Sequence, residues 1–280
     1  MEVLLPYRPP LDARALLAFL GARAVAGVEE LTPEGSYRRT LRLPGGPGIV
    51  ELSAPPDAVR AHLRLTDPDD APLAVAACRH LLDLDAEPER IDAHLAADPL
   101  LAGLVARRPG LRRPGHVEAT ELVTRAILGQ QVSVAGARTL AGRLVAAHGT
   151  PLPHPDGALT HLFPEAATIT ALGSEAFAMP RARSAALART TAAIAGGTLD
   201  LHPGADREAA RSGLLALEGI GPWTAGYVAM RALGDPDAWL PTDVGVRKGL
   251  AQIGAEPERA ERWRPWRSYA LMHLWAVLGD

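Results

Sequence analysis

The stretch Leu217–Ala225, LEGIGPWTA, leaves the chain little choice of local structure. Arg207–Leu217 carries helical periodicity, and Glu218–Gly221 cannot continue it, because two glycines in four residues favour a turn. Gly219 and Gly221 can both take positive φ, so the bend is expected to be tight. Pro222 has no N–H to lose and a preset φ, which suits the first turn of a new helix. The expectation is two helices joined by a short bend that presents backbone rather than side chains. Such amides, together with the following helix N-terminus, form an anion site. A DNA phosphate fits that site and is held there without any reading of sequence. A plain helix–helix turn carries the same local signature, and this stretch alone leaves both readings open.

The rest of the chain divides by pattern. Leu11–Val25 has apolar residues at helical spacing behind an Asp12 cap. SYRRTLRLP, GIVELSAP and VRAHLRL are short alternating or apolar runs broken by Gly and Pro, and they predict an antiparallel meander. After a break at Asp67–Pro72, Leu73–Leu84 is helical again. Residues 1–90 therefore read as a small α+β unit. Beyond residue 91 strand signals vanish and helices are expected at Glu118–Gln131, Val134–His148, Pro180–Ala195, Arg207–Leu217, Pro222–Leu233, Val244–Ile253 and Trp266–Leu278. Gly149–Asp156, GTPLPHPD, reads as a flexible interruption between two of them.

Composition narrows the class without naming a function. With 48% hydrophobic and 22% charged residues the chain is ordinary globular protein, long enough to bury a core. No apolar run approaches a membrane span, the N-terminus MEVLLPYRPPLD lacks the features of a signal peptide, and a cytoplasmic protein is expected. One cysteine, Cys78, excludes a disulfide framework and a four-cysteine cluster. Residues 1–100 carry 16 Asp/Glu against 10 Arg, whereas the remainder carries 16 acids against 19 bases, so the second part admits a DNA partner. Arg112 and Arg113, in the densest basic stretch, are either phosphate contacts or solvated surface. Lys248 is the sole lysine, so any Schiff-base chemistry has one candidate nucleophile.

The longer pattern, L-x-G-x-G-x-x-T-A followed about twenty residues on by LPTD (Leu240–Asp243), resembles the helix-hairpin-helix DNA glycosylases. TRAILGQQVSV (Thr124–Val134), ERWRPWRSYALMHLW (Glu261–Trp275), FLGARAV (Phe19–Val25) and RPGLRRPG (Arg108–Gly115) are similar to its alkylbase branch, DNA-3-methyladenine glycosylase II. The resemblance spans essentially the whole chain. It implies an α+β fold: an N-terminal antiparallel domain over 1–90, then an all-helical glycosylase region over 91–280 in which helical subdomains can flank a cleft. It also implies a monomer that binds damaged double-stranded DNA, flips out alkylated bases and hydrolyses their glycosidic bonds.

Site residues follow from the same resemblance. Gly219, Ile220, Gly221 and Thr224 form the DNA-gripping hairpin, with a monovalent ion at the backbone carbonyls of Leu215, Leu217 and Ile220 and no other cofactor. Asp243 is the catalytic carboxylate. By its residue chemistry alone it could be a plain helix cap, but an anion there also faces the cationic sugar that develops as the bond breaks. Phe19, Arg23, Trp223, Tyr227 and Trp275 line the base pocket, where aromatic faces favour cationic alkylpurines. Trp223 and Tyr227, four apart on a helix face, could equally be core. Gln131 stands where the family's well-known bacterial form has a leucine wedge, which puts an apolar wedge in doubt. Relatives with lyase chemistry carry lysine at the hairpin position held here by Trp223, so a monofunctional hydrolase is expected. The alternatives are a same-fold glycosylase for oxidised or deaminated bases and a non-catalytic DNA-structure-binding protein.

Overall fold

The computed structural model describes residues 1–55, 58–173, 177 and 179–279. Five strands, β1 (Glu2–Leu4), β2 (Glu29–Leu31), β3 (Tyr37–Leu43), β4 (Gly46–Ser53) and β5 (Arg60–Leu65), make an antiparallel sheet in the order β1-β5-β4-β3-β2. The β3–β4 hairpin closes through Leu43 opposite Gly46, which sits at φ +125°. Alternation sends Tyr37, Leu41, Val50, Leu52, Ala61 and Leu63 to one face. There they meet Leu16, Leu17 and Leu20 of α1 (Ala13–Gly21) and Ala74, Cys78 and Leu81 of α2 (Ala71–Leu81). Asp12 caps α1 by accepting the Ala15 amide at 3.0 Å.

The helices that follow are α3 (Pro88–Ala96), α4 (Pro99–Arg107), α5 (Ala119–Leu128) and α6 (Val134–His148). A hairpin of β6 (Thr150–Asp156) and β7 (Leu159–Leu162) comes next, then α7 (Ala166–Ala171), α8 (Arg181–Ala195) and α9 (Arg207–Ala216). The chain closes with α10 (Pro222–Arg231), α11 (Val244–Ile253) and α12 (Arg267–Ala276). One helical core joins α5, α6, α8, α9 and α10 through Leu122, Ile127, Leu144, Leu187, Leu214 and Val228. A second joins α3, α4, α11 and α12 through Ile91, Leu104, Leu250 and Leu274, and α10 reaches it through Met230. Helix α10 thus lies between two cores and holds them in one frame.

The β6–β7 hairpin corrects the expectation of an all-helical region from residue 91 and of a flexible interruption at Gly149–Asp156. Pro151, Pro153 and Pro155 suppress the strand signal because proline cannot donate to a ladder. The pairing shifts register between Pro151 and Asp156, and Leu152 still turns inward with Leu159, Leu162 and Ile49 of the sheet. Thr40 donates to the His161 carbonyl at 2.9 Å and Arg42 to that of Phe163 at 2.7 Å, fixing the hairpin against the sheet.

A buried ionic network joins sheet and helices. Arg39 bridges Glu29 at 3.1 Å and Glu121 at 2.7 Å; Arg125 meets the same two carboxylates at 2.8 and 2.7 Å. Burial alone would raise Glu121, but the adjoining Arg39, His116 and Arg125 hold it well below the usual carboxylate range. Arg112 and Arg113 are neither phosphate contacts nor solvated surface. They are 1% and 4% exposed; Arg112 donates to the Arg8 and Pro10 carbonyls, and Arg113 to the Met230 carbonyl and Asp83. Backbone carbonyls of the first domain and of α10 satisfy guanidinium groups that composition alone places at the surface.

Candidate active site and DNA interface

Asp243 is the N-cap of α11, and its Oδ1 accepts the Val246 amide at 2.9 Å. The same oxygen accepts the Trp275 indole N–H at 2.9 Å, while Oδ2 accepts that of Trp223 at 2.9 Å. The role of helix cap and the placement among aromatic rings therefore coexist. A carboxylate offers about four acceptor sites. Three are filled here, and the site left on Oδ2 can face a reacting atom or a water.

Each indole belongs to a stacked pair. Trp223 lies on Tyr227 with ring centroids 5.2 Å apart at 9°, and Trp275 on Phe19 at 6.1 Å and 14°. The two pairs are thus tethered to different oxygens of one carboxylate. Phe19 packs against both the sheet core and the second helical core, and Tyr227 against both helical cores. The five expected pocket residues come together where the three cores meet. Arg23 places its guanidinium 3.6 Å over the Phe19 ring and donates to the Phe19 carbonyl, and burial lowers its pKa.

Arg231 escaped the sequence reading. It lies four residues beyond Tyr227 on the same face of α10, and that spacing is the signal that could have found it. It donates to the Tyr227 hydroxyl at 2.8 Å and to the carbonyls of Pro114 and Gly115. Burial raises the Tyr227 phenol, but Arg231 and Arg23 outweigh it and bring it below its usual value. The guanidinium groups of Arg23 and Arg231 thus lie against the Phe19 and Tyr227 rings.

The hairpin between α9 and α10 has the expected form with one difference. Gly219 is left-handed at φ +90°, but Gly221 is extended at φ −91°. A Cβ at Gly219 would lie 2.6 Å from that of Ala186, so glycine here permits both the turn and close packing on α8. A Cβ at Gly221 would meet nothing within 4 Å, and it would stand over the open N-terminus of α10. Ile220 turns inward, 6% exposed, and anchors the bend. Thr224 is also buried and its hydroxyl accepts the Gln130 amide at 3.0 Å, so its side chain is turned away from solvent. Leu215 is exposed, Leu217 is half-buried, and the Leu217 carbonyl accepts the Ile220 amide at 3.0 Å with one lone pair left over.

Gln131 lies in the loop between α5 and α6. It is exposed and left-handed at φ +59°, a conformation that costs a non-glycine residue roughly 1 kcal/mol or more. Lys248 is exposed on α11. Away from Asp243, Glu29, His116 and Glu121 bring ligand atoms within 4.8 Å of one another, a spacing that could hold a metal ion. Arg39 and Arg125 already neutralise both carboxylates, and burial lowers His116 to about 4, so the cluster is complete as an ionic network. Among the described residues no helix is long and apolar enough to cross a membrane.

Comparison with known proteins places this geometry. Residues 2–118 match the AlkA N-terminal domain family. The chain is 36% identical over 284 residues to the DNA-3-methyladenine glycosylase 2 of Escherichia coli, covering 98% of this chain and 97% of that protein. It is 47% identical to a Mycobacterium tuberculosis protein described as a "Probable bifunctional transcriptional activator/DNA repair enzyme AlkA", covering 98% of this chain and 56% of that one. The chain thus spans about half the length of that relative. The fold also matches that of the 3-methyladenine DNA glycosylase from Archaeoglobus fulgidus, with a TM-score of 0.83 and 20% identity over 99% of this chain and 97% of that one.

Proposed function

Because the chain belongs to the DNA-3-methyladenine glycosylase 2 family, we propose that it is a monofunctional DNA glycosylase. It flips 3-methyladenine and related alkylpurines out of duplex DNA and hydrolyses the N-glycosidic bond to leave an abasic site in base excision repair. The observation that carries this reading is Asp243, the N-cap of α11, held by the Trp223 and Trp275 indoles, with stacked rings attached to each of its oxygens. A carboxylate so placed stabilises the cationic sugar that forms as the bond to the base breaks. The free acceptor site on Oδ2 also lets it orient the attacking water. Alkylation has already made the base a cation, so departure needs no general acid. Trp223 and Trp275 stack against it, beside Phe19, Tyr227 and Arg23.

Backbone amides at Gly219–Gly221 and the first turn of α10 hold a phosphate of the damaged duplex. Ile220 and Thr224 serve this grip by their backbone and by packing rather than by side-chain contact. The carbonyls of Leu215, Leu217 and Ile220 are the groups that would hold a monovalent cation, which would add positive charge beside that phosphate. Gln131 enters the gap left by the flipped base and offers its amide to the orphaned partner. The enzyme acts as a monomer in the cytoplasm.

The test is incubation with methylated duplex DNA, with chromatography of the released bases and electrophoresis of the strand. Free 3-methyladenine with an uncut strand is expected, and borohydride should trap no covalent adduct. An adduct abolished by Lys248→Ala would overturn the monofunctional assignment. Release confined to oxidised or deaminated bases would move the assignment to a different lesion class.

A further inference from the structure

The link between the wedge loop and the pocket lies in Gln130, the neighbour of Gln131. Its Nε2 donates to Thr224 Oγ1 at 3.0 Å. Thr224 is 2% exposed and follows Trp223, the indole on Asp243 Oδ2, in the first turn of α10. Thr190 and Thr191, in the body of α8, return their hydroxyls to the carbonyls of Ala186 and Leu187 four residues back. Thr224 is the third residue of α10, so the carbonyl four residues back precedes the helix, and its hydroxyl serves Gln130 as an acceptor. On the other side of Gln131, Ser133 caps α6 by accepting the Gly136 amide at 3.1 Å. The left-handed Gln131 is therefore fixed at both flanks, at Gln130 by a side chain of α10.

We infer that Gln130 is a positioning residue that ties the wedge loop to the first turn of α10, so that filling of the duplex gap and seating of the flipped base are coupled. The inference rests on the excision reading above. With the bond in place, a loop inserted in the duplex fixes where Trp223 and Asp243 stand relative to the extruded nucleotide. A displacement of about 1 Å at the reacting atoms costs orders of magnitude in rate, so even a modest loosening registers. The coupling matters only where the loop has a gap to fill. A lesion in a one-nucleotide bulge has no orphaned partner and should be indifferent to it.

The experiment is single-turnover release of 3-methyladenine from a fully paired duplex and from the same lesion in a one-nucleotide bulge. Gln130→Met keeps the volume of the side chain and removes the donor; Thr224→Val removes the acceptor. Each should lower the paired-to-bulged rate ratio by roughly three- to tenfold, the range of one hydrogen bond. The double variant should lower the ratio no further than either single one. Because the ratio is taken within one preparation, an unfolded fraction cancels. Equal losses on both substrates, or losses that multiply in the double variant, would reduce the bond to a structural contact and overturn the coupling. No release by the unsubstituted protein from either substrate would instead defeat the excision reading itself.

Discussion

Asp243→Asn tests the site most directly, and the structure sets two separate consequences. Three donors converge on the carboxylate: the Val246 amide and the Trp275 indole on Oδ1, and the Trp223 indole on Oδ2. An asparagine can place its oxygen on only one side. The better arrangement keeps the oxygen on the Val246 and Trp275 side, so the cap survives. Its NH2 group then faces the Trp223 indole N–H, donor against donor. Losing that bond in a half-buried site costs about 1–2 kcal/mol of stability, visible as a lowered melting temperature.

The larger loss is in rate. Opposite charges about 4 Å apart interact by roughly 4 kcal/mol at an effective dielectric near 20. If the sugar cation exists only in the transition state, excision falls on the order of a thousandfold while affinity for an uncleavable duplex barely changes. Trp223→Phe separates the two effects, because it removes the same indole hydrogen bond and leaves the charge. It should lose no more than about tenfold. The assay is single-turnover release of 3-methyladenine, corrected for folded protein, alongside duplex affinity. Asp243→Asn within tenfold of the unsubstituted protein, or no worse than Trp223→Phe, would refute the electrostatic role and return Asp243 to that of a helix cap.

Three further outcomes follow from individual positions. Gly221→Val should fold normally, since a Cβ there meets nothing within 4 Å at φ −91°, yet weaken damaged and undamaged duplex alike, with the salt dependence shallower by about one slope unit per lost phosphate contact; loss confined to lesion DNA would contradict a phosphate grip. Gly219→Val should instead lower the melting temperature sharply, because it puts a β-branched residue at φ +90° with its Cβ 2.6 Å from that of Ala186; a melting temperature within a few degrees of the unsubstituted protein would count against that packing. Burial raises Glu118 from 4.5 to about 7, so folding favours its protonated form and wild-type stability is lost as pH rises from 4.5 through 7. Glu118→Gln should remove that decline and be more stable above pH 7 by about 1–2 kcal/mol, less than the roughly 3 kcal/mol of a fully buried group because the side chain is 27% exposed; parallel stability–pH curves would refute it.

What the sequence revealed was local, and what it concealed was tertiary. The hairpin was legible because Gly219, Gly221 and Pro222 act within four residues, and Asp243 because a cap and its helix are contiguous. Even there, only Gly219 takes the positive φ open to both glycines, and Gly221 instead owes its place to the open space above it. Helices α3 and α4, within Pro88–Arg107, were not among the expected helices, although Pro88 and Pro99 open them, Asp98 caps the second, and Ile91/Leu95 and Leu101/Leu104/Val105 keep helical spacing. At nine residues each they gain most of their order by packing on α12 and its neighbours. Arg112, Arg113 and Arg39 are buried by carbonyl and carboxylate partners from distant segments, which no charge count anticipates. The family resemblance supplied Phe19, Trp223 and Trp275 as a set, but not the two indole bonds that converge on Asp243 across 20 and 32 residues.

That convergence gives the first domain a part in the site. Phe19 comes from α1, more than two hundred positions before Asp243, and stacks on the ring that donates to Asp243 Oδ1. Arg125, on α5, donates to the Arg23 carbonyl at 2.6 Å while pairing with Glu29 and Glu121, so the network under the sheet also fixes the end of the segment that carries Phe19. The sheet thus supports one wall of the pocket, and α10 with α11 supports the other. On the proposed excision reading, a carboxylate held between two separately anchored aromatic walls is preorganised for a charge that appears only as the bond breaks, because little in its surroundings has to reorient when it does.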